Sequence, residues 1–153
     1  MRPSWDETWM RVAFTIADRS NCSNRKVGAV IVTAENRLVS MGYNGPPAGY
    51  VTSGACESFC PRGGSADRGN SYANCVSVHA EANALLFADR RQFSGGTIYV
   101  TNPCCWDCSK LVANSGLNRV VVNYSRIDEH ADVESPAAFM KKCGLDVEMR
   151  SIL

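Results

Sequence analysis

The chain has 153 residues, 45% apolar and 20% charged, the proportions of an ordinary globular protein. Its 16 basic and 15 acidic side chains leave a net charge of +1, which disfavours a large nucleic-acid footprint but leaves room for a local pocket fitting one phosphate. No apolar run approaches the length of a bilayer span and residues 1–6 lack the apolar core of a secretory signal, so the expected location is cytoplasmic, in the host cytoplasm if the chain is viral.

The length predicts a single domain over residues 1–153. Ser4 followed by Glu7 reads as a capping box that starts a helix running to about residue 20, with Trp9, Val12, Phe14, Ile16 and Ala17 as its apolar positions. A β-branched run at 27–33, a turn at 34–36 and a second strand at 38–43 predict a hairpin. Residues 44–49, rich in Gly and Pro, end regular structure. The stretch from about 45 to 76 is the least regular of the chain; it carries Cys56, Cys60 and Cys75 and reads as an insertion, functional or stapled. Helix resumes over 79–91, followed by a strand at 97–101, a helix at 105–115 capped by Gly116, a strand at 120–122, a short helix from Ser135-Pro136 and a last strand at 145–149. Cys143, late in that short helix with Phe139 and Met140, is expected in the core. The order ββαβαβαβ after an N-terminal helix predicts an α/β sandwich around a mixed sheet.

Two motifs carry the chemistry. His79-Ala80-Glu81 opens one helix, and Cys105-Trp106-Asp107-Cys108 opens the next. Eight cysteines would suggest disulfides in a secreted chain, but in a reducing compartment they favour metal ligation. One imidazole and two thiolates are the three protein ligands of a catalytic Zn2+ that keeps its fourth place for water. Both groups sit where the chain enters a helix, whose positive end favours thiolate over thiol. Glu81, two residues from His79, is badly placed as a fourth ligand and well placed as a proton shuttle. A Cys-x-x-Cys pair by itself also fits a structural zinc ribbon or a redox pair, and a zinc-binding module without catalysis is the non-enzyme alternative. The carboxylate beside an open metal position favours the enzyme.

These motifs resemble the zinc-dependent cytidine/deoxycytidylate deaminase family, most of all its deoxycytidylate (dCMP) deaminases, phage enzymes included. The likeness runs from about residue 20 to 124. It takes in Ser20-Asn21-Cys22, Lys26-Val27-Gly28-Ala29-Val30, residues 42–49, residues 79–87, residues 97–101 and Cys105 through Lys110. The family usually has proline directly before its first zinc cysteine. Here Cys104 stands in that place, which leaves two registers, Cys105 with Cys108 or Cys104 with Cys108; matching the preceding strand and the following Ser109-Lys110 without a gap selects Cys105. Cys104 then becomes a candidate pocket residue bearing on the choice between cytosine and a 5-substituted base.

The resemblance implies a three-layer α/β/α sandwich around a five-stranded mixed sheet and hydrolysis of dCMP to dUMP and ammonia, which feeds thymidylate synthesis. It implies that Asn44 meets the deoxyribose 3′-hydroxyl and that Ala80 meets the base edge. Residues 42–49, with Gly42, Tyr43, Asn44 and Gly45, would sense dCTP as activator and dTTP as inhibitor, and an effector of that kind would bring Mg2+ with its phosphates. Phe87 and Arg90 fall in the region that approaches the effector site and a neighbouring subunit of a dimer or hexamer. Same-fold alternatives act on a 5-substituted dCMP, dCTP, a nucleoside, a free base or tRNA adenosine. Near-neutral charge argues against tRNA, and an aromatic content of 8% without a cluster argues against a single-strand editor.

Four further cysteines, Cys22, Cys56, Cys60 and Cys75, are the right number for a closed structural Zn2+ site, and related dCMP deaminases have a ligand at the position of Cys22; buried free thiols are the plain alternative. For a phosphate, the candidates are Arg25 and Lys26 before the first strand and Arg126 after the strand bearing Tyr124. Tyr124 itself is a candidate to pack near the base.

Overall fold

The computed structural model describes residues 1–50, 54, 56–62, 74–124 and 135–152. Helix α1 (Trp5–Ala17) starts at the expected capping box: the Ser4 hydroxyl accepts the Glu7 N–H at 3.1 Å and the Glu7 carboxylate accepts the Ser4 N–H at 2.6 Å. Then follow β1 (Gly28–Val32), β2 (Leu38–Tyr43), α2 (Ala80–Leu86), α3 (Arg90–Phe93), β3 (Thr97–Val100), α4 (Trp106–Ser115), β4 (Arg119–Asn123), α5 (Pro136–Lys142) and β5 (Asp146–Arg150). A 3-10 turn spans Cys56–Ser58.

The five strands form one mixed sheet in the order β2-β1-β3-β4-β5. β1 runs antiparallel to both β2 and β3, while β3, β4 and β5 are parallel. The period-2 alternation of the strands builds two apolar layers. Ala29, Ile31, Ile98, Val100, Val120 and Val122 face α2, α4 and α5. Val30, Val32, Tyr99 and Val121 face Met10 and Ala13 of α1. The result is the expected α/β/α sandwich.

Three local expectations change. The helix read over 79–91 is two: α2 stops at Leu86, and Asp89 starts α3 by accepting the Arg91 N–H at 3.0 Å, because a short carboxylate competes for backbone donors and favours caps over helix interiors. In α1 the buried stripe is Met10, Ala13 and Ala17, and Phe14 lies on the solvent side. Cys143 is exposed: α5 ends one residue before it, and Gly144, with φ of 92°, turns the chain away.

Beneath α1 a charged network ties the first helix to the far end of the sheet. Arg119 grips Asp6 bidentately at 2.8 and 2.9 Å and donates from Nε to Glu148 at 2.7 Å. The Tyr99 hydroxyl donates to Asp6 at 2.7 Å, and Arg150 also pairs with Asp6. The Arg119 guanidinium holds the Asp6 carboxyl well below its ordinary range, from 3.8 to about 2. A depressed folded-state pKa contributes stability that is complete above the unfolded value and lost as pH falls through the folded one. Asp6→Asn should therefore lower the unfolding free energy at neutral pH by about 2 kcal/mol, with the deficit closing between about pH 4 and pH 2, as denaturant titrations across that range would read.

Candidate metal centre and its cavity

The centre stands on one edge of the sheet, where β2 and β3 end and β1 begins. Because β1 is antiparallel to both neighbours, β2 and β3 point the same way and deliver their C-terminal ends together, the usual place for a site in such a sheet. Helix α2 is fixed there by close contact. A Cβ on Gly42 would lie 2.3 Å from the Ala80 carbonyl oxygen and 2.5 Å from the Ala84 nitrogen, so only glycine lets the helix backbone sit this near β2. The Ser40 hydroxyl donates to the Ala84 carbonyl and the Asn83 amide to the Tyr43 carbonyl, each at 2.8 Å. Gly45 and Val78 pair in a short antiparallel bridge just ahead of the helix. Gly42, read from the sequence as part of an effector loop, has this packing role inside a strand.

His79 is the N-cap of α2 and Cys105 the N-cap of α4. The His79 Nδ1 lies 3.4 Å from the Cys105 sulfur and 3.5 Å from the Cys108 sulfur. Among the described residues, these three form the one group of His, Cys, Asp or Glu side chains whose ligand atoms all fall within 4.8 Å of one another. Cys105 sulfur also accepts the Cys108 N–H at 3.4 Å. The Cys108 thiol, then His79 and that N–H, hold Cys105 down to about 4 against the effect of burial, and the same sharing pushes Cys108 up. A cation at this point would take the place of the protons on the sulfurs. The His79 ring is raised, chiefly by its hydrogen bond to Cys105. One imidazole nitrogen and two sulfurs fit Zn2+.

Next to this cluster is a cavity of about 290 Å3 lined by His79, Ala80, Glu81, Cys105, Asn44 and the segment 22–27, among others. Glu81 is 4% exposed. Burial raises its carboxyl pKa, opposed by its own backbone N–H, the positive His79 and the Cys104 thiol. Asn44 joins two walls of the cavity: its Oδ1 accepts the Val27 N–H at 2.8 Å and its Nδ2 donates to the Arg25 carbonyl at 2.9 Å.

The other expected residues divide. Arg25 lines the cavity, whereas Lys26, Tyr124 and Cys104 are absent from its described lining. Arg126 lies outside the described residues. Cys104 is buried in the apolar layer with Ala80, Ala84 and Cys108, and burial holds its thiol well above the ordinary value. Phe87 is exposed, and Arg90 donates from Nε to the Ser115 carbonyl at 2.7 Å, closing the end of α4. Two residues the sequence reading missed, Arg62 and Asn102, also line the cavity. The signal for Arg62 was its place two after Cys60, since gathering the four outlying cysteines brings it to His79.

Those four cysteines are neighbours, but no three of their sulfurs come within 4.8 Å of one another as the first cluster's ligand atoms do. Cys22 and Cys60 each act electrostatically on both Cys56 and Cys75. Backbone N–H groups point at the sulfurs: Ser23 at Cys56, Val76 and Arg62 at Cys60, and Ser77 at Cys75. Against burial, these donors keep Cys60 below its ordinary value, while burial pushes Cys56 up to about 11. All eight cysteines of the chain are free thiols.

Residues 3–124 match the family model of the cytidine and deoxycytidylate deaminase zinc-binding region. A deoxycytidylate deaminase of Mycobacterium phage D29 is 47% identical over 126 residues, covering 78% of this chain and 94% of the relative. The deoxycytidylate deaminase of Schizosaccharomyces pombe is 40% identical over 132 residues, covering 84% of this chain and 40% of that longer protein. Among solved structures, the dCMP deaminase of cyanophage S-TIM5 in complex with dCMP and dUMP aligns with a TM-score of 0.71 at 25% identity, covering 97% of this chain and 98% of that one.

Proposed function

The chain belongs to the cytidine and deoxycytidylate deaminase family, and on that premise we propose that it hydrolyses dCMP to dUMP and ammonia. The observation that carries the reading is the buried Glu81 carboxylate set beside the His79–Cys105–Cys108 cluster at the head of a cavity. His79, Cys105 and Cys108 would hold Zn2+, which when bound acidifies the attacking water toward neutral pH. Glu81 takes one proton of the water on its carboxylate as the C4–O bond forms and passes it to N3 of the ring, then carries the second proton from that oxygen to the amine as the C4–N bond breaks. Its burial suits both halves of this task, because the raised carboxyl pKa lets it hold a proton transiently.

The cavity walls account for the nucleotide. Ala80 opens α2, so its backbone N–H has no intrahelical acceptor and is available to the base carbonyl. Asn44 retains one N–H for a sugar hydroxyl after its two backbone bonds. Arg25 and Arg62 supply guanidinium groups suited to a 5′-phosphate. The four neighbouring thiols, three of them with backbone donors on their sulfurs, suit a second, structural Zn2+. Regulation by dCTP and dTTP, with Mg2+ on the triphosphate, would act through Tyr43 and Gly45 at the end of β2 and through the Phe87–Arg90 corner; assembly into a dimer or hexamer would use the same exposed corner of α2.

Ammonia release should be fastest with dCMP in a panel of dCMP, dCTP, deoxycytidine and 5-methyl-dCMP, run with and without dCTP and dTTP, and equal turnover of deoxycytidine would remove the phosphate argument. Glu81→Gln should retain zinc and lose at least roughly a hundredfold in kcat; full activity would remove the shuttle role. Arg62→Gln should raise KM for dCMP roughly tenfold and leave deoxycytidine unaffected. Zinc analysis should find two equivalents in the parent protein and one in either Cys108→Ser or Cys60→Ser, with only the first abolishing turnover outright.

A further inference from the structure

Between α1 and β1 the chain makes a loop, residues 18–27, that forms one wall of the cavity: Cys22, Asn24, Arg25 and Val27 all line it. Asn44, the residue after β2, grips the far end of this loop. Its backbone N–H donates to the Val27 carbonyl at 3.2 Å, its Oδ1 accepts the Val27 N–H at 2.8 Å and its Nδ2 donates to the Arg25 carbonyl at 2.9 Å. The near end is held by Ser20, which is 3% exposed. The Ser20 hydroxyl donates to the Asn44 carbonyl at 2.7 Å and accepts the Cys22 N–H at 3.2 Å. A hydroxyl has both a proton and lone pairs, so the two bonds are made at once. The Ser20 N–H donates to the Ala17 carbonyl at 2.9 Å, which ties the same residue to the end of α1. One buried side chain thus joins the end of the first helix, the end of β2 and the entry of the loop.

We infer that Ser20 is a positioning residue for the phosphate side of the cavity: its hydroxyl pins the start of the loop to the same asparagine that pins its end, so that residues 21–24 bridge two fixed points. Ser20 is absent from the described lining of the cavity, so it acts through the loop and not by touching the substrate. Removing its hydroxyl leaves the buried Asn44 carbonyl without that donor and frees the Cys22 N–H, while Asn44 keeps its three bonds to Val27 and Arg25. The sugar contact assigned to Asn44 is therefore spared, and the wall from Cys22 to Arg25 loosens. The reacting end shares none of these bonds, since α2 is fixed to β2 through Ser40 and Asn83. Ser20 thus governs how tightly a nucleotide is held and not how fast it reacts. The inference rests on the reading of Arg25 as a partner of the 5′-phosphate.

The test compares Ser20→Ala, Ser20→Thr, Arg25→Gln and the double variant of Ser20→Ala with Arg25→Gln against the parent protein. It reads kcat, KM for dCMP and for deoxycytidine, bound zinc, and amide hydrogen exchange. Ser20→Ala should raise KM for dCMP roughly tenfold, with kcat within about twofold and with KM for deoxycytidine and zinc content unchanged. Threonine keeps the hydroxyl and should restore KM. Once Arg25→Gln has removed the group being positioned, Ser20→Ala should add less than about twofold. The Cys22 amide should exchange at least roughly tenfold faster in the alanine variant while the amides of β1 keep their parent rates. If the added methyl of threonine prevents folding, the comparison with Arg25→Gln decides alone. An unchanged KM for dCMP in Ser20→Ala would overturn the inference, as would an equal rise for both substrates, which marks the sugar end. A fall in kcat or a loss of zinc would overturn it too, since either marks a general structural role, and so would effects of Ser20→Ala and Arg25→Gln that simply multiply. A parent protein that turns over deoxycytidine as well as dCMP would sink the phosphate reading separately; the Cys22 exchange rate then still decides whether Ser20 holds the loop, an unchanged rate overturning it.

Discussion

The site depends first on how near α2 can come to β2. A metal centre of this kind needs its ligand atoms placed to within a few tenths of an ångström, and here one ligand is on α2 and two are on α4. The sheet is the common reference for both. Gly42 removes the side chain that would push α2 outward, and the bonds from Ser40 and Asn83 then fix the helix along and across the strand. On the other side, Cys108, Ser109 and Val112 are buried on the sheet-facing side of α4, and the turn after β3 delivers Cys105 at its cap. Displacing either helix would separate Nδ1 from the sulfurs, and displacing α2 would also withdraw Glu81 from the cavity.

The electrostatics follow from that placement. Two helix N-termini converge on one point, each presenting unpaired N–H groups and the positive end of its dipole. Such a place favours thiolate, and the Cys108 thiol, His79 and the Cys108 N–H together hold Cys105 low. It also makes a buried carboxylate tolerable, since Glu81 has the positive His79 close by and its own N–H as partner. The near-zero net charge of the chain conceals this local bias: two arginines line a single cavity within a molecule that carries little charge overall.

Much of this was legible in the sequence, and the reasons are physical. Short motifs at helix starts are readable because a cap, a metal ligand and a proton carrier each require particular side chains at fixed spacing; thus His79, Glu81, Cys105 and Cys108 could be named together, as could the Ser4–Glu7 box. Strands β1, β3 and β4 were readable from β-branched runs that are buried on both faces. What escaped depended on tertiary placement. Nothing local distinguishes a Cys104 that lines a cavity from one that packs in the apolar layer. The split of 79–91 into two helices turned on whether Asp89 would cap or continue, and its side chain found a backbone donor. Gly42 resembled a loop glycine until α2 was seen to lie across it. Arg62 lay in the stretch with least pattern, where only the gathering of cysteines fixes a position.

That gathering bears on the cavity as much as on the fold around it. Cys22 and Cys75 line the same cavity as His79 and Glu81 while belonging to the four-thiol set. The stretch from 45 to 76 has few large apolar side chains in its sequence. Backbone N–H groups of Ser23, Arg62, Val76 and Ser77 are directed at the sulfurs of Cys56, Cys60 and Cys75. On the proposed reading, a second Zn2+ would lock this arrangement and hold Arg62 and the segment before β1 at a fixed separation. The span available to a nucleotide phosphate is then set by the outlying thiols, and the reacting end of the ring by the first cluster. Substrate length would be measured between two sets of cysteines, with Asn44 bridging the walls between them.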